Sequence, residues 1–282
     1  MIYNIQRKDG LGTQMALFAK GVIGQGLDDR FIFDIRKWQF FRNNNDFNFR
    51  KISSLFEFHP QTIVDPHEID LIVKENRCRY IINTNFLADI WKKRNPGKKF
   101  PWWGNVEPYL LMKLKNPPKL NYEIGECVGI HARLGNGEQT RKLHDLPTSI
   151  KYRIVDENCF VDEMGQRKNV NFFISSDSKK FIDRCTTEFG NRVKTMERIH
   201  MPEGCGPGHI RHIPKSNSIE FHDSVDSVDL LYEAYVDMYL LSQCSSLICN
   251  QSMFNWLARN NLADSNKVRE FKNENRSSNC IN

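Results

Sequence analysis

Three polar segments follow apolar runs in the second half of the chain, and each carries residue types suited to a phosphate-bearing ligand. The first is His131-Ala132-Arg133-Leu134-Gly135-Asn136-Gly137-Glu138. Arg133 offers a planar fork of N–H donors that matches phosphate oxygens. Gly135 and Gly137 let the backbone come close to a ligand and aim its own N–H groups inward. Glu138 adds a carboxylate able to take a proton. The same residues would also suit a plain strand-to-loop turn with a surface arginine, since a Gly-rich turn alone has little specificity.

The second segment is Ser175-Ser176-Asp177-Ser178, where Asp177 either receives ribose or base hydroxyls or caps the helix that follows. The third is Asn250-Gln251-Ser252, where the Ser252 hydroxyl and free amides at a helix start either meet a phosphate or serve as a cap. Near the N-terminus, Gly10-Leu11-Gly12-Thr13-Gln14 reads as a turn and helix start. It could touch a phosphate or an acceptor sugar, or be a tight strand-helix turn. It lacks the Lys-Ser/Thr ending of a P-loop, so triphosphate hydrolysis is not supported.

The elements around these segments alternate. Met1–Gln6 is an expected strand and Thr13–Gly24 a helix, with Met15, Leu17, Phe18 and Val22 on its apolar face. Arg30–Ile35 reads as a strand and Trp38–Asn48 as an irregular surface loop. A helix is expected near 85–94. Pro96, Pro101, Pro117 and Pro118 then punctuate the chain, which suits a domain boundary near 118–125. Beyond it, strands are expected over Cys127–Ala132, Val170–Ser175, Val193–Met196 and Leu247–Cys249. Helices are expected over 178–189, 227–244 and 252–259, with a polar, loop-rich stretch over 140–168. Alternation of this kind makes an α/β fold with a parallel sheet, and such sheets collect ligands at the carboxyl ends of their strands. All three polar segments lie at such ends.

Bulk composition narrows the function classes. The chain has 282 residues, 40% of them hydrophobic and 26% charged, enough apolar material for a sizeable core in one large or two modest domains. The net charge is +6, but the basic residues are scattered in short clusters such as Lys92-Lys93-Arg94. Without a basic tail or a basic-aromatic stripe, no nucleic-acid partner is expected. No apolar run approaches a membrane span. The eight cysteines form no C-x-x-C pair, and several sit inside apolar runs, as reduced buried cysteines do. The first residues lack the basic-then-apolar order of a signal peptide, so a cytoplasmic protein is expected. Cys205, His209, His212 and His222 are near one another, but Gly204, Gly206, Pro207 and Gly208 place them in a loop with no second ligand pair. No Asp-x-Asp pair or Gly-x-Ser-x-Gly elbow occurs. No metal site is expected.

Taken in order, these segments resemble a known family. Gly129-Ile130-His131-Ala132-Arg133-Leu134-Gly135-Asn136-Gly137-Glu138 is similar to the first donor-binding motif of the α-1,6-fucosyltransferases, above all those of bacterial nodulation. Phe172-Phe173-Ile174-Ser175-Ser176-Asp177-Ser178 resembles their second motif. Asp237 to Cys244, running on to Asn250-Gln251-Ser252-Met253-Phe254, resembles their third. The turn at Gly10–Met15 looks like one shared with the α-1,2-fucosyltransferases. The motifs cover most of residues 126–260 and gain specificity from their order.

The resemblance implies a GT-B-like fold of two Rossmann-like domains with a cleft between them. Residues 1–122 would be the acceptor-side domain and 123–282 the nucleotide-sugar domain. It implies a fucosyltransferase with GDP-fucose as donor, a glycan acceptor, inversion, and no metal or other cofactor. A transferase for another nucleotide sugar, or a non-catalytic nucleotide- or glycan-binding protein, are the alternatives. Arg133 would hold the pyrophosphate and stabilise charge on the departing GDP, Asp177 the nucleoside, and Asn250, Gln251 and Ser252 the phosphate region. His131, Gly135 and Asn136 would shape the pocket, and Asp237 would anchor the site from the long helix. Glu138 is the first choice of base, ahead of Asp145 and His144. One position departs from the pattern. Leu134 stands where many relatives carry a second arginine, and Arg141 or Arg211 is the expected replacement.

Overall fold

The computed structural model describes residues 1–5, 11–25, 29–38, 40–41, 47–81, 92–93, 95–97, 110–134, 155–200, 225–262 and 264–271. In chain order, β1 (Ile2–Ile5) leads to α1 (Leu11–Gln25), β2 (Arg30–Ile32), α2 (Phe49–Leu55), β3 (Phe56–Phe58), β4 (Thr62–Ile63), α3 (Pro66–Lys74) and β5 (Arg79–Ile81). Then come β6 (Met112–Leu114), β7 (Cys127–Ala132), α4 (Glu157–Gln166), β8 (Asn171–Ser176), α5 (Lys179–Phe189) and β9 (Val193–Lys194). The described chain closes with α6 (Ser227–Gln243), β10 (Ser246–Asn250), α7 (Trp256–Asn261) and β11 (Val268–Phe271).

Two parallel sheets result, which makes the fold α/β as the sequence pattern predicts. One has the order β4-β2-β1-β5 and the other β11-β10-β7-β8-β9; an antiparallel pair, β3-β6, stands apart. In each parallel sheet the chain starts in the interior, winds to one edge and returns to the other side. The order therefore reverses at β1 in the first sheet and at β7 in the second. Ligand crevices form at such switch points, because the loops leaving adjacent strands there diverge to opposite faces. Registration brings the three polar segments together at the second one. His131 lies level with Ser175 on β8 and with Cys249 on β10.

Helix ends follow local chemistry. Ser178 caps α5 by accepting from Phe181 N at 3.2 Å, and Asp226 caps α6 by accepting from Val228 N at 2.7 Å. α6 is buried on most of its circumference, as a helix packed from several sides must be. It touches α1 and α2 of the first half and β7, β8 and α7 of the second. Gly129 on β7 allows this approach, because a Cβ there would lie 3.1 Å from Leu241 Cδ2 and 3.2 Å from Cys244 Sγ. One apolar cluster consequently runs from Phe18 and Phe31 through Leu231, Tyr235 and Leu241 to Trp256 and Leu257. A second, around Ile130, Phe160, Phe172 and Phe181, fills the other face of β7 and β8.

Three expectations change. Trp38, Phe40 and Phe41 are 3% exposed rather than part of a surface loop, because their rings complete the main core. α4 arises inside the stretch read as polar loop. Asp156 caps it, and Phe160, Val161 and Met164 bury one side of an otherwise polar helix. α1 begins at Leu11, ahead of the expected Thr13, which places Gly12 in its first turn. Most of the helix expected near 85–94 lies outside the described residues. Among the described residues no helix is long and apolar enough to cross a membrane, and Cys78, Cys127, Cys159, Cys185, Cys244 and Cys249 are free thiols.

Candidate functional site

Arg133 is the first residue beyond β7, and its backbone is fixed from below. The Asn250 side chain accepts from Arg133 N at 3.0 Å and donates to Arg133 O at 2.7 Å. Asn250 is fully buried at the end of β10, so its amide clamps the arginine in place and does not itself face solvent. Asp177 does the same for the next residue, accepting from Leu134 N at 2.8 Å. The cap of α5 is thus Ser178, while Asp177 reaches across from β8 to the end of β7. Ser176 extends the lacing by donating to Ala132 O at 2.6 Å.

These strand ends open on a solvent-accessible cleft of about 140 Å³. Its polar wall includes His131, Arg133, Ser175, Ser176, Asp177, Arg198, His200, Glu233 and Asp237. Phe40, Leu230 and Phe254 supply apolar surface. Phe40 comes from the first half of the chain, so both halves contribute. The Arg133 guanidinium has no carboxylate partner among the described residues, whereas Arg198 forms a buried ion pair with Asp237. Ser175 Oγ also donates to Asp237, at 2.8 Å, and Arg198 Nη2 donates to Ile174 O at 3.2 Å. Asp237 therefore ties α6 to β8 and to the segment that follows β9. Burial pushes its carboxyl upward, against the pull of Arg198 and Ser175.

His131 is 5% exposed, stacked on Phe254 with ring centroids 5.1 Å apart and planes 15° from parallel. Asn255 Nδ2 faces its Nδ1 at 3.5 Å. Burial, helped by Arg133 and Arg198, lowers the imidazole to about 3, so it is neutral at physiological pH. His200 is lowered to about 4, chiefly by burial and then by Arg198 and Lys179. The linkage has a definite sign. The unfolded chain takes up protons below about pH 6.5 while these folded imidazoles do not. Stability present above pH 6.5 is therefore expected to fall progressively toward pH 3. Urea unfolding at pH 7 and pH 5 should show this difference, and it should shrink in His131→Gln. An undiminished difference would assign the acid sensitivity elsewhere.

Leu134 is 2% exposed and packs in the second core cluster, so the position that resembles an arginine site points inward in this chain. Among the described residues, the other arginine on the cleft is Arg198. Its signal was its place just beyond β9, the third strand end on that side. Glu233 lies one helical turn before Asp237, a spacing that puts both on one face of α6. Ser252 starts the short 3-10 turn Met253–Asn255, accepting from Phe254 N at 3.1 Å; Gln251 beside it is exposed. Gln14 is buried in α1. A Cβ on Gly12 would overlap the Met253 carbonyl, so this glycine lets α1 seat directly on the segment that carries Phe254.

Gly10, Gly135, Asn136 and Glu138 lie outside the described residues, as do Asp145 and His144, the arginines at 141 and 211, and the Cys205, His209, His212 and His222 group. Among the described residues no cluster of three or more His, Cys, Asp or Glu side chains could hold a metal ion.

No family model matches the chain, and no curated protein sequence matches it. Solved structures similar to it include the NodZ α-1,6-fucosyltransferase soaked with GDP-fucose, at 15% identity, and the same enzyme co-crystallised with GDP, at 16%. The selenomethionine form of NodZ from Bradyrhizobium is likewise 16% identical. Each match covers 91% of this chain and 91% of the other, with a TM-score of 0.46. At that distance the functional reading rests on the chain's own residues.

Proposed function

We propose that this chain is a glycosyltransferase that moves fucose from GDP-fucose to a glycan acceptor, with inversion and without a metal ion. The fold would be GT-B-like, its two Rossmann-like domains spanning 1–122 and 123–282. One observation carries the reading. Arg133 is clamped at both backbone atoms by a buried amide, and its guanidinium, without a carboxylate partner among the described residues, lies on a cleft at a switch point of a parallel sheet. A cation anchored there through its backbone suits a diphosphate, and it would stabilise the charge that grows on GDP as the glycosidic bond breaks. Asp177, held on Leu134 N at the same strand ends, would contact the nucleoside. The ordered sequence motifs at 129–138, 172–178 and 237–254 give the reading its donor.

Release of GDP from GDP-fucose, with a glycan panel as acceptor, tests the proposal. The unaltered chain should turn over. Arg133→Ala should lose about 10- to 100-fold in kcat/KM, the worth of one charge-assisted phosphate contact. GDP-fucose turnover unaffected by Arg133→Ala would remove the arginine from the reaction. Turnover with a UDP-sugar instead would reassign the donor.

A further inference from the structure

The cleft contains a carboxylate placed to receive a proton. Glu233 stands on α6, one helical turn before Asp237, and lines the same cleft as Arg133 and Asp177. Its Oε2 accepts a hydrogen bond from Ile199 N at 2.8 Å, which fixes the side chain against the 195–200 segment. Oε1 has no hydrogen-bond partner among the described residues. The neighbouring Asp237 spends Oδ2 on both Arg198 and Ser175 and is buried in that ion pair, and Asp177 accepts from Leu134 N. Glu233, half-buried and without an ion-pair partner among the described residues, has an oxygen left for a ligand.

We infer that Glu233 is the general base of the transfer, taking the proton from the acceptor hydroxyl. The inference rests on the glycosyl-transfer reading above. In the step, the acceptor O–H gives its proton to Glu233 Oε1. The acceptor oxygen forms its bond to the anomeric carbon, and the bond from that carbon to the β-phosphate oxygen breaks, its electron pair leaving with GDP. Arg133 meets the departing charge. One base held on Ile199 N and one cation on the same cleft supply both halves of the displacement.

The surroundings suit this role. Burial raises the Glu233 carboxyl above the ordinary range, with Asp237 and Asp229 on its own helix acting in the same direction. Arg198 and the Ile199 N–H from the facing segment oppose them. His200 on that segment, and His131, Arg133 and Asp177 from the strand ends, share the cleft. A base must be ionised to accept a proton, so the rate should fall as pH drops through this raised pKa.

Glu233→Gln is the diagnostic variant, because its amide oxygen still accepts from Ile199 N while it cannot take a proton. The assay is GDP release from GDP-fucose with the glycan panel, alongside calorimetric GDP affinity and a kcat–pH profile. Expected are a loss of about 100-fold or more in kcat, GDP affinity within about threefold of the unaltered chain, and disappearance of the acid limb. Near-normal kcat with the acid limb in place would make Glu233 only an anchor for the 195–200 segment and overturn the inference alone. GDP binding without any release by the unaltered chain would overturn the transfer reading, and this inference with it.

Discussion

Asp237→Ala is expected to destabilise the fold by about 3–5 kcal/mol, the usual cost of breaking a buried ion pair by removing one partner. The carboxylate is 7% exposed, and it holds Arg198 and Ser175 at once. Without it the guanidinium keeps its bonds to backbone carbonyls but has no counter-charge, and the Ser175 hydroxyl loses its acceptor. The pair also closes the distance between α6 and the carboxyl end of β8. Its loss should loosen the cleft as well as the fold. Urea denaturation measures the effect. Removing both charges with Asp237→Leu and Arg198→Met should recover most of the loss, since two apolar side chains of similar volume leave no buried charge unpaired. A cost below about 1 kcal/mol for Asp237→Ala would mean that solvent reaches Arg198 and that the pair is not buried.

Gly12→Ala is the second change with a large expected effect. The new methyl would overlap the Met253 carbonyl oxygen and lie 2.9 Å from Phe254 N. Both neighbours are backbone, so neither can rotate away as a flexible side chain could. Overpacking of this kind costs about 1–3 kcal/mol and occasionally more. Here the strain also has a direction. It pushes the Met253–Asn255 turn away from α1, and that turn carries the Phe254 ring stacked on His131 and the Asn255 amide beside it. Weakened GDP binding should therefore accompany the lost stability. A thermal melt and a GDP titration on the same variant check both. Unchanged melting with unchanged GDP affinity would show that the two halves do not meet at Gly12 as tightly as the structure has them.

The second half of the chain was largely legible because its central strands β7, β8 and β10 are mostly buried and its helices are capped by the residues that usually cap. Cys127–Ala132 reads as an apolar run and is a strand with all six residues buried. Ser178 and the Leu230, Leu231, Met238 and Leu241 positions set α5 and α6 within a residue or so. The first half was harder. Its strands are two to four residues long, too short for an alternating pattern to show, and β4 is only Thr62–Ile63. The aromatic stretch around Trp38 looked polar because of its asparagines, yet its rings are core.

The site divides in the same way. Arg133 and Asp177 follow strands in sequence and Asn250 ends one, and parallel pairing brings the three together at the carboxyl ends. What sequence could not show is how labour is split among them. Asn250 is spent on the Arg133 backbone and Leu134 is turned into the core, and among the described residues Arg198 is the other arginine on the cleft. Arg198 and Glu233 are assembled by contacts between α6 and the segment after β9, some 35 residues apart in the chain, and no local pattern marks that meeting.

The central claim is that the Arg133 cleft holds a guanosine diphosphate. Calorimetric titration of GDP and of UDP into the full chain, repeated with Arg133→Ala, tests it most directly. The account predicts saturable GDP binding, markedly weaker UDP binding, and a loss of about 10- to 100-fold in GDP affinity on removing the guanidinium. No heat from GDP, or GDP binding that is indifferent to Arg133, would contradict it.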